Sequence, residues 1–250
     1  MRRSAPHKQQ SRKLLHHFDV TTGGKWNHDR MHASALMEPG SMLARQTLLR
    51  LTVAVALAQA AVCSQTNTSA TIATISLPEP RLTGPMSLER AISKRRSVRE
   101  FSAQPLTVQQ IGQLCWAAQG ITDSRRGFRA APSAGALYPL ELYLVTPAGL
   151  YHYVAASHKL DQLASHDLRP ALARAALGQT CISKATATMV ITAVQQRTAA
   201  KYGPRAQRYC LLEAGHAAQN VLLQAVALGL AAVPVGAFHD AQVHQLLGLS

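Results

Sequence analysis

Leu140-Glu-Leu-Tyr-Leu-Val-Thr146, then Pro147-Ala148, then Gly149-Leu-Tyr-His-Tyr-Val154 is the stretch whose reading decides the fold class. Both flanking runs are short, rich in aromatic and aliphatic residues and broken by turn residues, which is the pattern of two strands. A link this short returns the chain antiparallel, because a parallel neighbour needs a long crossover. Further on, Thr188 to Val194 (TMVITAV) is a continuous apolar run and reads as a buried strand, and Val233 to Phe238 (VPVGAF) as a short strand or loop. Helical spacing appears around these strands. Ser87 can cap a short helix carrying Leu88, Ala91 and Ile92. Thr107-Val-Gln-Gln110 has the form of a capping box, followed by Ile111, Leu114, Cys115 and Ala118 at helical intervals, with Gly120 as the stop. Leu168 to Leu177 is a short Ala/Leu helix, and Ala241 to Leu247 begins a last one. Between them a long helix runs from about Arg205 to Leu230, apolar nearly all round from Ala217 onward, which suits a position central to a domain or buried between subunits. Helices and antiparallel strands mix without regular βαβ units, so the fold class is α+β.

The composition supports a real core. Hydrophobic residues make up 47% and charged residues 15%, which is not the balance of a disordered chain. The net charge of +14 is spread along the sequence, +6 before Met86 and +8 after it. Such a balance reads first as a solvated basic surface, and non-specific nucleic-acid binding is the sharper alternative. The four cysteines, Cys63, Cys115, Cys181 and Cys210, form no C-x-x-C pair, so zinc and thioredoxin-like readings lack their spacing. Cys115 and Cys210 sit in apolar helical patterns as packing residues.

Residues 1–41 show no apolar period and read as a non-native or disordered leader. From Met42, Arg45 and Arg50 precede the apolar run Leu51 to Ala58, and Ala58-Gln-Ala60 supplies a small-residue cleavage signal. That is the order of a secretory signal peptide over residues 42–61, which implies export and a start at Met42. The apolar run is too short to span a bilayer. Residues 62–85, Ser/Thr-rich and then Pro-rich, read as a linker, and the folded domain as residues 86–250.

Four segments could carry chemistry. Lys94-Arg95-Arg96-Ser97-Val98-Arg99 gathers cations and a hydroxyl that can bind phosphate oxygens, or merely complements a helix C-terminus. Ala131-Pro-Ser-Ala-Gly-Ala-Leu-Tyr-Pro139 is a tight loop of small residues where backbone can approach a planar ligand, or an ordinary connection. Lys201-Tyr202 could polarise a substrate and move a proton if both reach a pocket, or could be a solvated pair. Glu213-Ala-Gly-His216 has Glu and His at i, i+3, but no third ligand lies at a telling distance, so packing and hydrogen bonding are the better reading and no metal is assigned. There is no G-x-G-x-x-G, no P-loop and no G-x-S-x-G.

Taken in order, R-R-S-x-R-x-F (Arg95 to Phe101), L-C-W-A-A-Q-G-I-T (Leu114 to Thr122), A-P-S-A-G-A-L-Y-P-L-E (Ala131 to Glu141), K-Y-G-x-R (Lys201 to Arg205), L-E-A-G-H-A-A-Q-N (Leu212 to Asn220) and P-V-G-A-F (Pro234 to Phe238) resemble the FMN-dependent nitroreductase family, in particular its SagB-type dehydrogenase branch. The resemblance implies a central, mostly antiparallel sheet flanked by helices, in an intertwined homodimer with FMN at the subunit interface. It assigns Arg95, Arg96, Ser97 and Arg99 to the FMN phosphate and ribityl chain. Pro132, Ser133, Ala134, Gly135 and Leu137 would lie on the isoalloxazine of the opposite subunit. Pro234, Val235 and Gly236 would approach the reactive edge through their backbone, and Lys201 and Tyr202 would transfer protons. The implied partners are a small organic substrate and NAD(P)H, without a separate Rossmann domain. The narrower reading is an azoline dehydrogenase forming thiazole or oxazole rings in peptides. Family members usually continue past the L-G-L of the last helix into a strand ending in a basic residue, so the resemblance implies that this sequence is truncated at Ser250 and open to a third reading, a non-catalytic binding protein of the same fold.

Overall fold

The computed structural model describes residues 12–22 and 73–249. In chain order the strands and helices are β1 (Arg12–Thr22), β2 (Thr74–Ser76), α1 (Leu88–Lys94), α2 (Val108–Gln119), β3 (Ile121–Asp123), β4 (Phe128–Arg129), β5 (Leu140–Thr146), β6 (Gly149–Val154), β7 (Lys159–Ala164), α3 (Arg169–Ala175), α4 (Thr180–Lys184), β8 (Ala187–Val194), α5 (Gln195–Tyr202), α6 (Ala206–Ala227), β9 (Leu230–Val235) and α7 (Asp240–Leu246). Seven strands form the main sheet in the order β2-β7-β6-β5-β8-β1-β9, and every pairing in it is antiparallel. The fold is α+β, as the hairpin and the absence of βαβ units predict. Strands β5 and β6 coincide with the two runs quoted first, joined across Pro147-Ala148.

Alternation along β5 sends its side chains into two different cores. Leu140, Leu142 and Leu144 pack with Leu114 and Cys115 of α2 and Ala214, Ala217 and Val221 of α6. Tyr143 and Val145 pack on the other face with Leu172 of α3, Ile182 of α4 and Val243 of α7. The sheet is therefore covered on both faces, and β8 is buried along its whole length, which is why it reads as a continuous apolar run. The long helix α6 is buried on one side only. Ala214, Ala217, Val221 and Ala225 face the sheet, while Leu211 and Leu212 are exposed.

Helix ends follow local chemistry. Ser87 accepts the Arg90 N–H at the start of α1. At α2 Thr107 accepts from Gln110 N and Gln110 Oε1 accepts from Thr107 N, and Gly120 closes the C-terminus. Cys115, Cys181 and Cys210 are buried, and no disulfide joins them among the described residues.

Two segments differ from the sequence reading. Residues 1–41 show no apolar period, yet Arg12–Thr22 is paired between β8 and β9. Its order comes from main-chain bonding to a strand on each side, which needs no amphipathic pattern. Within the expected linker, Thr74–Ser76 pairs with β7 and Leu77 N donates to His158 O. The proposed signal peptide, residues 42–61, lies outside the described residues. Among the described residues no helix is long and apolar enough to cross a membrane.

Candidate active site

The connection from β4 to β5 folds on itself. Ser133 Oγ accepts the Tyr138 N–H at 2.9 Å. Gly135, Ala136 and Tyr138 have φ of 64°, 53° and 45°. Glycine adopts this left-handed conformation freely, whereas alanine and tyrosine do so only where surrounding contacts impose it. Tyr138 is held from several sides. Its hydroxyl accepts the Arg129 N–H at 3.2 Å, its ring lies 4.9 Å from the Arg129 guanidinium carbon, and its carbonyl accepts from Arg197 Nη1 at 3.1 Å.

Helix α5 leaves β8 directly and ends in Lys201 and Tyr202. The Tyr202 ring meets the Tyr209 ring of α6 at 4.7 Å, and Lys201 Nζ lies 5.6 Å from the Tyr202 ring centre. Both side chains end at Gly135. A Cβ added there would lie 2.9 Å from Tyr202 Oη and 3.0 Å from Lys201 Nζ. The structure thus brings the amine, the phenol and the bare face of the Ser133–Leu137 turn together, although Lys201 itself is exposed.

Beneath the loop sits Glu213 of α6, only 2% exposed. Burial pushes its carboxyl up to about 7, against the opposing pull of a Ser133 hydrogen bond and the Arg129 charge. Its Oε1 has no hydrogen-bond partner among the described residues. Asn220 Nδ2 donates to Ala130 O at 3.3 Å, so α6 braces the loop at both ends. His216 points elsewhere and is exposed, and no group of three metal-ligating side chains occurs among the described residues.

The basic segment is fixed separately. Arg95 N–H closes α1 on Ala91 O at 2.9 Å, and Val98 N donates to Ala232 O at 3.0 Å, laying Arg95–Arg99 along β9. Arg96 Nη1 donates to Ser93 O and Arg95 O. Arg96, Ser97 and Arg99 are exposed and Arg95 is half-buried. Ala232 precedes Pro234 by two residues, so the cations lie beside the strand that ends in Pro234-Val235-Gly236. Pro234 and Gly236 are exposed, and Val235 is a buried member of the second core. One main-chain bond, from Val98 N to Ala232 O, ties this group to β9, while the Ser133–Leu137 loop meets side chains of α5 and α6.

Sequence reasoning missed a polar cluster around a cavity of about 400 Å³ beside the same loop. Arg197 Nη2 lies 2.6 Å from Glu141 Oε1, and His152 Nε2 lies 2.7 Å from Glu141 Oε2. Burial works to raise the Glu141 carboxyl, but the His152 hydrogen bond and the Arg197 charge together hold it below its ordinary range. Arg129 Nη1 donates to Gln119 Oε1 at 2.9 Å, and burial lowers its affinity for its proton. Glu141 stood at the end of a quoted motif, but nothing local in the sequence marks Gln119, Arg129, His152 or Arg197 as its neighbours.

An antiparallel sheet covered on both faces thus carries a strained small-residue loop met by a Lys-Tyr pair, in an α+β frame. The chain belongs to the nitroreductase family, whose model matches residues 92–250. A Methanocaldococcus jannaschii protein that carries a nitroreductase name is 42% identical over 168 residues, 65% of this chain and 84% of that protein. A Ralstonia eutropha crystal structure described as a nitroreductase superposes with a TM-score of 0.65 at 33% identity, covering 71% of this chain and 82% of the other. A second crystal structure so described, from Anabaena variabilis, gives a TM-score of 0.61 at 27% identity, covering 72% of this chain and 39% of that longer one. Members of this family typically bind a flavin.

Proposed function

We propose that the chain is an FMN-dependent oxidoreductase acting on a small organic substrate, with Lys201 and Tyr202 handling protons beside the flavin. The observation that carries this is the convergence of Lys201 Nζ and Tyr202 Oη on the space above Gly135. The missing Cβ of Gly135 lets the amine and the phenol reach the backbone of the turn, and the flavin ring would lie beside them against Ser133, Ala134, Gly135 and Leu137. The residues present suit FMN. Exposed Arg96, Arg99 and Ser97 offer charged and neutral donors for a phosphate, and Arg95 adds a half-buried cation. Pro132 flanks the ring-facing turn, and the exposed backbone at Pro234 and Gly236 can reach a flavin edge, with Val235 anchoring that strand end in the core.

When bound, FMN supplies the hydride exchange; the protein supplies placement and proton transfer. Tyr202 Oη would donate or accept a proton at the substrate, with the Lys201 amine beside it on the same turn. NAD(P)H is the proposed reductant. We read the enzyme as a homodimer, because two groups of flavin-binding residues lie on separate elements and because α1 and α6 expose Leu88, Ile92, Leu211 and Leu212. A membrane or a specific nucleic acid is not among the proposed partners.

The test is direct. Purified protein should be yellow, elute as a dimer and release FMN on denaturation, and Lys201→Met and Tyr202→Phe should slow turnover while leaving the bound flavin in place. Colourless protein that takes up no added FMN would refute this reading and favour a non-catalytic binding protein of the same fold. Azoline oxidation in peptides is the narrower version, to be tested with a thiazoline-bearing peptide as the electron donor.

A further inference from the structure

The cavity beside Tyr138 carries an unmatched set of donors. Gln119, at the end of α2, is 2% exposed. Its Oε1 accepts from Arg129 Nη1 at 2.9 Å, which fixes which way the amide faces, since the reversed amide would set donor against donor. Nε2 is therefore the remaining group of this cavity-lining side chain, and it is buried with no partner among the described residues. A buried donor left without an acceptor is disfavoured, so such a group marks a place where an acceptor belongs.

The charges at the cavity point the same way. Glu141 is already engaged by Arg197 at 2.6 Å and by His152 at 2.7 Å, one partner on each carboxylate oxygen. Among the described residues no carboxylate is in contact with Arg129. Its side chain meets the neutral Gln119 amide and the Tyr138 ring, and Glu141 and Glu213 act on it only at longer range. Gln119 and Arg129 line the cavity together with the apolar side chains of Leu137, Leu140, Leu142 and Val154. At about 400 Å³ it has the size of a small-ligand site.

We propose that this cavity binds a small carboxylate with an apolar body. The carboxylate accepts from Gln119 Nε2 and from the Arg129 guanidinium, and the apolar part lies against the leucines and Val154. The inference stands on Gln119 and Arg129 and does not depend on the flavin reading, although Leu137 belongs both to this wall and to the proposed flavin turn.

The experiment uses the full chain as purified, with its bound flavin, and calorimetric titration of benzoate, with benzamide as the uncharged control of the same shape. Benzoate should bind in the millimolar range or tighter, and benzamide about tenfold more weakly or worse. Gln119→Glu places a carboxylate on Arg129 and removes the donor, so it should abolish benzoate binding without loss of thermal stability. Gln119→Leu keeps Arg129 available and should weaken binding by about tenfold. The proposal is overturned if benzoate does not bind, if benzamide binds as well, or if Gln119→Glu binds benzoate like the parent. Benzoate binding that saturating FMN eliminates would also overturn it, by reassigning the cavity to the flavin, whereas a colourless protein that still binds benzoate as described would leave it standing.

Discussion

Replacing Gly135 by alanine separates two roles of the turn, backbone shape and access to its face. Gly135 has φ 64°, a conformation that costs an L-residue about 1–2 kcal/mol. The added methyl would also meet Tyr202 Oη at 2.9 Å and Lys201 Nζ at 3.0 Å. Both atoms are the far ends of flexible side chains, so they move aside and add little to the folding cost. Gly127, in the β3–β4 turn, is the internal control: its φ is 68°, and a Cβ there would meet nothing within 4 Å. Gly135→Ala and Gly127→Ala should therefore lose the same stability, about 1–2 kcal/mol by urea unfolding. Only Gly135→Ala should lose turnover, by roughly ten- to 100-fold, because it displaces the amine and the phenol by a fraction of an ångström to an ångström. The assay is NADPH oxidation by the flavin-loaded protein with a nitroaromatic acceptor, alongside the unfolding curves. Equal turnover in the two variants would refute the assignment of Lys201 and Tyr202 to the face of this turn. A stability loss several kcal/mol greater at Gly135 would refute the claim that those side chains yield.

Three further outcomes are expected. Glu213 is raised to about 7 by burial, so its contribution to stability is present in acid and is lost as pH rises from the ordinary carboxylate range through about 7. Relative to the wild type, Glu213→Gln should gain stability over that interval, by at most about 3 kcal/mol, and urea titrations at acid and alkaline pH that show a constant difference would contradict it. Thr107→Ala removes the hydroxyl half of the α2 capping box and should cost about 1 kcal/mol in thermal or urea unfolding. Arg99→Gln should weaken FMN binding, measured by fluorescence quenching, and flatten its dependence on salt, while leaving the unfolding midpoint of the flavin-free protein unchanged because Arg99 is exposed.

What the sequence discloses depends on how local the cause is. Strands β5 and β6, the Thr107 capping box and the Gly120 stop were legible because each is written in neighbouring residues. Strand β7, KLDQLA, was not: its apolar residues are too few to show a period, and its place is set by β6 and β2 on either side. Strand β1 is the same case carried further, since its pairing depends on β8 and β9. At the site, the loop Pro132–Leu137 and the pair Lys201-Tyr202 were visible as segments, but their meeting at Gly135 follows from α5 leaving β8 at that point. The Gln119–Arg129 contact was hidden for a related reason. The β3–β4 ribbon folds residue 129 back beside the end of α2, in a stretch the sequence presents as plain loop.

The position of β1 sets an order in time. The hairpin of β5 and β6 can pair as soon as both have left the ribosome, because a two-residue link brings them together. Strand β1 instead pairs with β8 and β9, which lie far along the chain from it. Bringing β1 between them closes much longer stretches of chain than the hairpin does, at a greater entropic cost. Sheet formation thus combines a local pairing with a long-range one, and pairings of high sequence separation are the slower kind to form.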